Sequence, residues 1–270
     1  MPARSGVAGT IKEGACDMKV DILASGSAGN CVAVATCGKT ILIDAGVAKT
    51  KIEKRLLEVG IRPDHIAAIM ITHAHNDHIK GLTLANKFRI PVWATEGEWH
   101  KISGVDEDLR LTAETRFSKY EMIDLGGMHV YPFKVHHDAK EPVGYAVEDD
   151  DGCRCCIVLD TGHVDQDIID MMEGQIIIIE ANHDPDLVPL CSRPESVKAR
   201  ILSDIGHLSN EQTAAALQQV IRGRGERIYL THLSGENNTP QLAEMTVKMA
   251  LRQRGFEAGE HYHLEVVTGA

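Results

Sequence analysis

The apolar run Ile66-Ala-Ala-Ile-Met-Ile71 ends abruptly in Thr72-His73-Ala-His75-Asn-Asp77-His78, and this junction constrains the chain more than any other feature. Four metal-binding side chains fall within six residues. A strand that stops there delivers all of them to one small volume. His73 and His75, two apart in extended backbone, point the same way. Asp77 and His78 then open the following helix and face a second point a few ångströms away. Imidazole suits zinc, manganese and iron, and a carboxylate can share its charge between two ions, so a pair of divalent cations is the natural occupant. A solvated polar turn with accidental histidines would not need this density or this placement.

With 270 residues the chain can bury a sizeable core, as one domain or two small ones. No apolar run approaches a membrane span, and Ile176-Ile-Ile-Ile179 reads as a buried strand. The opening has no charged, apolar leader pattern. Residues 1–17 are Gly/Ala-rich and unpatterned, whereas Met18-Lys-Val-Asp-Ile-Leu23 reads as a protein start and a first strand. We therefore expect 1–17 to be a disordered or non-native extension and 18–270 a single domain. The seven cysteines are odd in number and lack framework spacing, which favours reduced thiols in a cytoplasmic protein. Cys153-Arg-Cys155-Cys156 has no second pair to complete a zinc site and reads as free thiols on a strand. The net charge of −11 makes the surface as a whole a poor match for nucleic acid unless positive charge is gathered locally.

Short apolar runs alternate with turns. Strands are expected at Val20–Ala24, Cys31–Ala35, Thr40–Ile43, Ala67–Thr72, Pro91–Ala94, His129–Val135, Tyr145–Glu148, Cys155–Leu159, Ile176–Glu180, Arg227–Leu230 and Tyr262–Val266. Helices are expected at Lys51–Val59, Lys80–Lys87, Gln166–Glu173, Glu195–Ser203, Asn210–Arg222 and Pro240–Arg254, with Asn210 as a cap. Early strand pairs without helices, followed by βα alternation, describe an α/β (α+β) chain of two sheets covered outside by helices.

Three further strand ends carry ligand-type residues: Lys134-Val-His136-His137-Asp138, Val158-Leu-Asp160-Thr-Gly162 and Ile228-Tyr-Leu-Thr-His232. Singly, each could be an ordinary turn or cap. Together they supply what a two-metal site lacks after His73, His75, Asp77 and His78, namely one more histidine per ion and a bridging carboxylate. His136 and His137 point to opposite faces of an extended strand, so only one of them can serve.

Through Thr72–His78, His137, Asp160 and His232 the chain resembles the metallo-β-lactamase fold superfamily, over nearly its whole length. The resemblance implies an αββα sandwich, two mixed β-sheets flanked by helices, with the site at one edge. Carried over by position, it implies that His73, His75 and His137 hold one ion, that Asp77, His78 and His232 hold the other, and that Asp160 bridges them. His137-Asp138-Ala-Lys-Glu-Pro-Val-Gly-Tyr145 looks like the family pattern, which favours His137 over His136. Ser25-Gly-Ser-Ala-Gly-Asn-Cys31, Leu42-Ile-Asp-Ala-Gly46, Glu180-Ala-Asn-His-Asp184, Gly206-His-Leu-Ser-Asn210 and Thr231-His-Leu-Ser-Gly-Glu-Asn-Asn238 resemble the YycJ/WalJ-type branch, near the tRNase Z-like phosphodiesterases. The branch usually has Ser where Ala181 stands, and the acidic Asp149-Asp-Asp151 turn is peculiar to this chain. Members are regarded as 5′→3′ double-strand DNA exonucleases linked in some bacteria to mismatch repair.

That resemblance implies a dinuclear metal-dependent phosphodiesterase using zinc, manganese or iron, with a metal-bridging hydroxide as nucleophile and DNA preferred to RNA as substrate. Asp77 would also take part in catalysis. His207 would assist the leaving group or clamp the phosphate, and His183, with Glu180, would handle protons or orient a ligand. Asp44 would orient a ligand histidine. Ser25, Ser27 and Asn30 lie in a glycine-rich stretch that could cradle a phosphate or simply close a tight hairpin. Ser234, Asn237 and Asn238 could line the substrate cleft. The gap Glu96–Tyr120 is too short for the inserted cap of larger nucleases, so the cleft should admit duplex ends. Two other readings are a thioester hydrolase of the glyoxalase II type and a non-catalytic nucleic-acid-binding protein. Gly206-His-Leu-Ser-Asn210 argues against the first, since acyl transfer does not need it. The complete ligand set argues against the second.

Overall fold

The structure is a computed structural model, and it describes residues 17–115 and 122–268. The expectation of a disordered extension over 1–17 concerns residues that lie, except for Asp17, outside those described. In the first sheet, β1 (Lys19–Ala24), β2 (Cys31–Thr36) and β3 (Lys39–Ile43) run antiparallel, and β4 (Ile66–Met70), β5 (Val92–Ala94) and β6 (Arg110–Thr112) continue it in parallel from β3. The second sheet comprises β7 (Ile123–Asp124), β8 (Met128–Lys134), β9 (Val143–Asp149), β10 (Arg154–Val158), β11 (Ile176–Glu180), β12 (Glu226–Thr231) and β13 (Tyr262–Val266). It is antiparallel from β7 to β10 and parallel from β10 to β13. The helices are α1 (Lys49–Glu58), α2 (Asn76–Ile79), α3 (Leu84–Phe88), α4 (Glu96–Trp99), α5 (Gln166–Met171), α6 (Glu195–Ile201), α7 (Asn210–Val220) and α8 (Pro240–Gln253).

The layering follows from the two-residue period of a strand. Ile176 and Ile178 join Val32, Val34, Ile41, Ile43, Ala68, Met70 and Tyr145 in a core between the sheets. The alternate Ile177 and Ile179 pack with Leu217, Val247 and Leu251 of α7 and α8. On the other sheet Leu42 and Ile69 face Ile52 and Leu56 of α1. Both sheets are therefore buried on both faces, which explains why β11 is apolar without alternation. The result is the αββα sandwich of two mixed sheets. Among the described residues no helix is long and apolar enough to cross a membrane.

Several details differ from the sequence expectation. β6 and β7 were not foreseen, because β6 is exposed along its length and β7 is only two residues long. Of the expected helix at 80–87 only 84–87 is helical, within α3, and residues 80–83 form a break between α2 and α3. Gly81 sits in the break, where an added Cβ would lie 2.1 Å from the Val47 carbonyl oxygen. Asn210 is not the cap of α7: Ser209 is, in a capping box with Gln212, and the Asn210 amide pairs instead with Asn238. Not all cysteines are free thiols. Cys153, at the hairpin end of β10, is disulfide-bonded, whereas Cys31, Cys37, Cys155, Cys156 and Cys191 are free, Cys155 and Cys156 being enclosed within the sheet layers.

The strand ends are stitched together beneath the site. Asn30 N–H donates to the Asp77 carbonyl, Ala45 N–H to that of His78, and Gly46 N–H to that of Asn30, each at 2.8 Å. Gly46 has no room for a side chain, since a Cβ there would lie 1.7 Å from the Asp77 carbonyl oxygen. Gly46→Ala should cost about 1–3 kcal/mol or more of stability by overpacking, measured by denaturant titration. Gly235→Ala, whose added carbon meets nothing within 4 Å, should leave the midpoint unchanged. Equal stability of the two variants would show that the Asp77 turn can retreat.

Candidate metal centre

The site forms where the parallel strands of both sheets end. Asp44 follows β3, Thr72–His78 follows β4, Asp160 follows β10, and His232 follows β12. Asp44, Asp160 and His232 have left-handed backbones, with φ of 62°, 44° and 54°. This conformation is uncommon for residues other than glycine and persists only where the surroundings impose it.

Asp44 imposes much of the order on its side. It is fully buried, and its carboxylate accepts from Thr72 N–H and Thr72 Oγ1–H at 2.8 Å each and from His78 Nδ1 at 2.7 Å. With its hydroxyl hydrogen committed to Asp44, Thr72 Oγ1 accepts from His73 Nδ1 at 3.1 Å. The lone pair of His73 Nε2 is thereby left to face the site. His137 Nδ1 donates to the Gly206 carbonyl at 3.0 Å, which likewise frees its Nε2. His75 turns its Nδ1 to these two, at 3.0 Å from His73 Nε2 and 3.3 Å from His137 Nε2. Asp160 Oδ2 lies 3.6 Å from His73 Nε2 and 3.8 Å from His137 Nε2. Tetrahedral zinc with bonds of about 2.0–2.1 Å sets its ligand atoms roughly 3.3–3.4 Å apart. These spacings bracket that value.

The second cluster is richer in carboxylate. His78 Nε2 lies 3.1 Å from Asp160 Oδ2 and 3.7 Å from Asp77 Oδ2. His232 Nδ1 lies 2.5 Å from Asp160 Oδ1, but without the angles of a hydrogen bond, so that oxygen lacks a donor. His232 Nε2 is buried without a partner and faces Asp77 Oδ2 across 3.9 Å. Orphaned polar atoms at the centre of a buried cluster call for an ion or water.

The titration behaviour divides the site the same way. Burial, reinforced by His78, holds His73 far below the ordinary imidazole range, and burial lowers His137, so both are neutral donors. Burial opposes charge on His78 and His232 as well. Asp44 and Asp160 nonetheless raise His78 well above its usual value, and Asp160 and Glu180 raise His232 to about 10. Asp160 is itself driven far down, against its burial, by His232 and His78. This half of the site demands positive charge, which protons on histidine or bound cations can supply. The residues fit a dinuclear metal site.

The other predicted residues are placed as follows. His136 turns away from the cluster and pairs with Asp165, so the histidine brought to the site is His137. His207 stands between His137 and His232, ring centroids 5.2 and 5.1 Å away, with Nδ1 3.0 Å from Glu180 Oε2. Burial works against its charge and Glu180 overcomes this, raising His207 above the usual range. His183 is buried, its Nδ1 lacks a hydrogen-bond partner, and burial lowers it to about 4. The carboxylate of Glu180 is spent on His207 and His232 rather than on His183.

Most of the expected substrate-binding side chains bond the frame of the site. Ser25 Oγ accepts from His232 N–H at 2.8 Å, and Asn30 Oδ1 accepts from Gly26 N–H at 3.0 Å. Gly29 N–H bonds Gly26 O, so the glycine-rich stretch uses N–H groups to close its own hairpin. Asn30 Nδ2 lies 3.1 Å from His78 Nε2. Ser234 Oγ accepts from Asn237 N–H, and Asn238 bridges Ala181 and Asn210. Ser27 is exposed, and Asn237 is fully buried with both amide atoms unpaired.

Sequence reasoning missed Glu98 on α4. Wholly buried, it accepts from Ala74 N–H and Glu141 N–H at 2.7 Å each, fixing the peptide between His73 and His75. It also gave no role to Asp138, whose Oδ1 lies 3.1 Å from His137 Nε2 and whose Oδ2 accepts from Arg200 at 2.7 Å. Glu98 and the Arg200 partner of Asp138 have no local signal, because those contacts are made across the fold.

Comparison with known proteins agrees with this geometry. The beta-lactamase superfamily domain matches residues 39–233. The chain belongs to the metallo-β-lactamase superfamily. Within the superfamily it is 36% identical to Exodeoxyribonuclease YycJ of Bacillus anthracis over 245 residues, 90% of this chain and 92% of that protein. It is 36% identical over 249 residues to Exodeoxyribonuclease WalJ of Streptococcus pneumoniae serotype 2 (strain D39), covering 89% and 91%. The crystal structure of the metallo-β-lactamase fold protein YhfI from Bacillus subtilis superposes with a TM-score of 0.69 at 14% identity, covering 94% of this chain and 97% of that one. This last likeness is one of fold.

Removing the charge of Asp44 leaves His78 without its anchor. Asp44→Asn should weaken binding of one of the two metal equivalents by about 10–100-fold, as outer hydrogen-bond partners of ligand histidines commonly do, in a chelator-competition titration. Unchanged affinity for both equivalents would remove Asp44 from this role.

Proposed function

We propose that this chain is a dinuclear metal-dependent exodeoxyribonuclease that degrades double-stranded DNA 5′→3′. One observation carries the reading: a buried His/Asp constellation with the spacing of a metal-ligand set, in a chain matched along nine-tenths of its length by proteins named exodeoxyribonucleases. In this reading His73, His75 and His137 hold one ion, Asp77, His78 and His232 the other, and Asp160 both. The ions are zinc, manganese or iron. They supply Lewis-acid charge that activates water and neutralises the phosphodiester.

The chain's own groups do the rest. Asp44, Thr72 and the Gly206 carbonyl fix which ring nitrogens face inward. Arg200, half exposed and paired with Asp138, puts a cation at the rim where a phosphate would enter. When the P–O3′ bond breaks, the departing 3′ oxygen needs a proton. His207, whose protonated form Glu180 favours against burial, is the donor. The enzyme would work in the cytoplasm, in excision of the kind mismatch repair requires.

Metal-loaded protein should release mononucleotides from the 5′ end of end-labelled duplex DNA, and His73→Ala should abolish the activity. Hydrolysis confined to a thioester panel would overturn the assignment. His207→Ala should lower cleavage of DNA by about 10²–10⁴-fold. It should spare bis-p-nitrophenyl phosphate, whose leaving group needs no proton. Equal losses on both substrates would mean that His207 positions phosphate instead.

A further inference from the structure

A second set of metal-ligating side chains lies outside the centre described above. His136 leaves the end of β8 on the face opposite His137 and brings its Nε2 to 2.7 Å from Asp165 Oδ2. His163 stacks on it, with centroids 3.9 Å apart and planes 16° from parallel. One ligand atom from each of His136, His163 and Asp165 lies within 4.8 Å of the others, and all three residues are half-buried.

Each of the three is also held by a partner outside the cluster, and among the ligand atoms themselves His136 Nε2 and Asp165 Oδ2 share a hydrogen bond that a bound ion would replace. Asp165 caps α5 through Oδ1, which accepts from Ile168 N–H at 2.9 Å, so Oδ2 is turned to the histidines. His163 Nδ1 donates to the Asp204 carbonyl at 2.9 Å, which puts the lone pair on Nε2. Backbone bonds lock His136 to the neighbouring loop: His136 N–H donates to Thr161 Oγ1 at 3.0 Å, and Gly162 N–H to the His136 carbonyl at 2.7 Å. Fixing the tautomer by a hydrogen bond from the other ring nitrogen is how proteins prepare a histidine to coordinate.

We propose that His136, His163 and Asp165 form a third cation site, which takes one borderline divalent ion such as zinc and completes its coordination with water. Two imidazoles and one carboxylate suit zinc, nickel or copper, whereas calcium and magnesium prefer all-oxygen shells. The sequence places the site one residue from His137 and three from Asp160. An ion bound there ties together the two loops that carry those residues. It would therefore stiffen the frame of the dinuclear centre without entering it.

The test is metal counting on the full chain. Protein stripped with a chelator is dialysed against a fixed low concentration of free zinc near neutral pH, and bound zinc is measured by elemental analysis. The wild type should hold one equivalent more than His163→Ala. It should also hold one more than Asp165→Asn, which keeps a helix-capping oxygen and so keeps the fold. His73→Ala, which damages only the dinuclear centre, should still lose an equivalent when His163→Ala is added. If His163→Ala and Asp165→Asn bind as much zinc as the wild type, the cluster is only a hydrogen-bonded loop closure and the proposal fails. This outcome does not depend on whether the protein cuts DNA.

Discussion

A carboxylate sealed from water must be met by hydrogen-bond donors, because an unpaired buried charge costs several kcal/mol. The site is built on three such carboxylates. Asp44, Glu98 and Glu180 are each fully buried, and each takes its donors from segments that carry site residues. Asp44 gathers Thr72 and His78. Glu98 gathers Ala74 and Glu141. Glu180 gathers Thr161 N–H at 2.6 Å, Leu208 N–H at 3.3 Å and His207. The two sheets use the same device, so the demand that anchors the loops also orients the rings.

These anchors sustain backbone that would otherwise relax. Asp44, Asp160 and His232 all turn left-handed immediately beyond parallel strands. Ser25 and Asn182 grip the His232 peptide on both sides, through its N–H and its carbonyl at 2.8 Å each. The inter-sheet core beneath, with β11 buried on both faces, gives the rim a rigid base. Strain at functional positions is retained when enough surrounding bonds over-determine it.

What was legible in the sequence was what is encoded locally. Each expected strand is present, because a run such as Ile176–Ile179 can do little else than pass through a core. The clustering of His73, His75, His78, His137, Asp160 and His232 was legible because metal chemistry is carried by residue type. β6 escaped notice because Arg110–Thr112 are all exposed and show no apolar pattern. Glu98 and the Asp138–Arg200 pair escaped because their partners are distant in sequence. Ser25, Ser234 and Asn238, expected at the substrate cleft, also hold the frame through bonds to His232, Asn237, Ala181 and Asn210. A polar residue near a ligand in sequence is as often a strut as a contact, and only the tertiary hydrogen bonds tell which.

The surroundings of His207 favour phosphodiesters over thioesters. Its peptide lies just before α7, whose capping box on Ser209 fixes where the helix begins. His207 N–H donates to the Ile201 carbonyl at 3.2 Å, and Asn182 N–H to that of Leu208 at 3.0 Å, so the backbone on either side is held. Leu208 itself is fully buried. With Glu180 on Nδ1, which favours its protonated form, the ring is held beside the candidate metal cluster. A thiolate leaves readily without a proton, whereas the 3′ oxygen of a nucleotide, a poor leaving group, does not. A pre-positioned acid with its own buried counter-ion would be idle in a thioesterase, and it has a task in an enzyme that breaks P–O bonds.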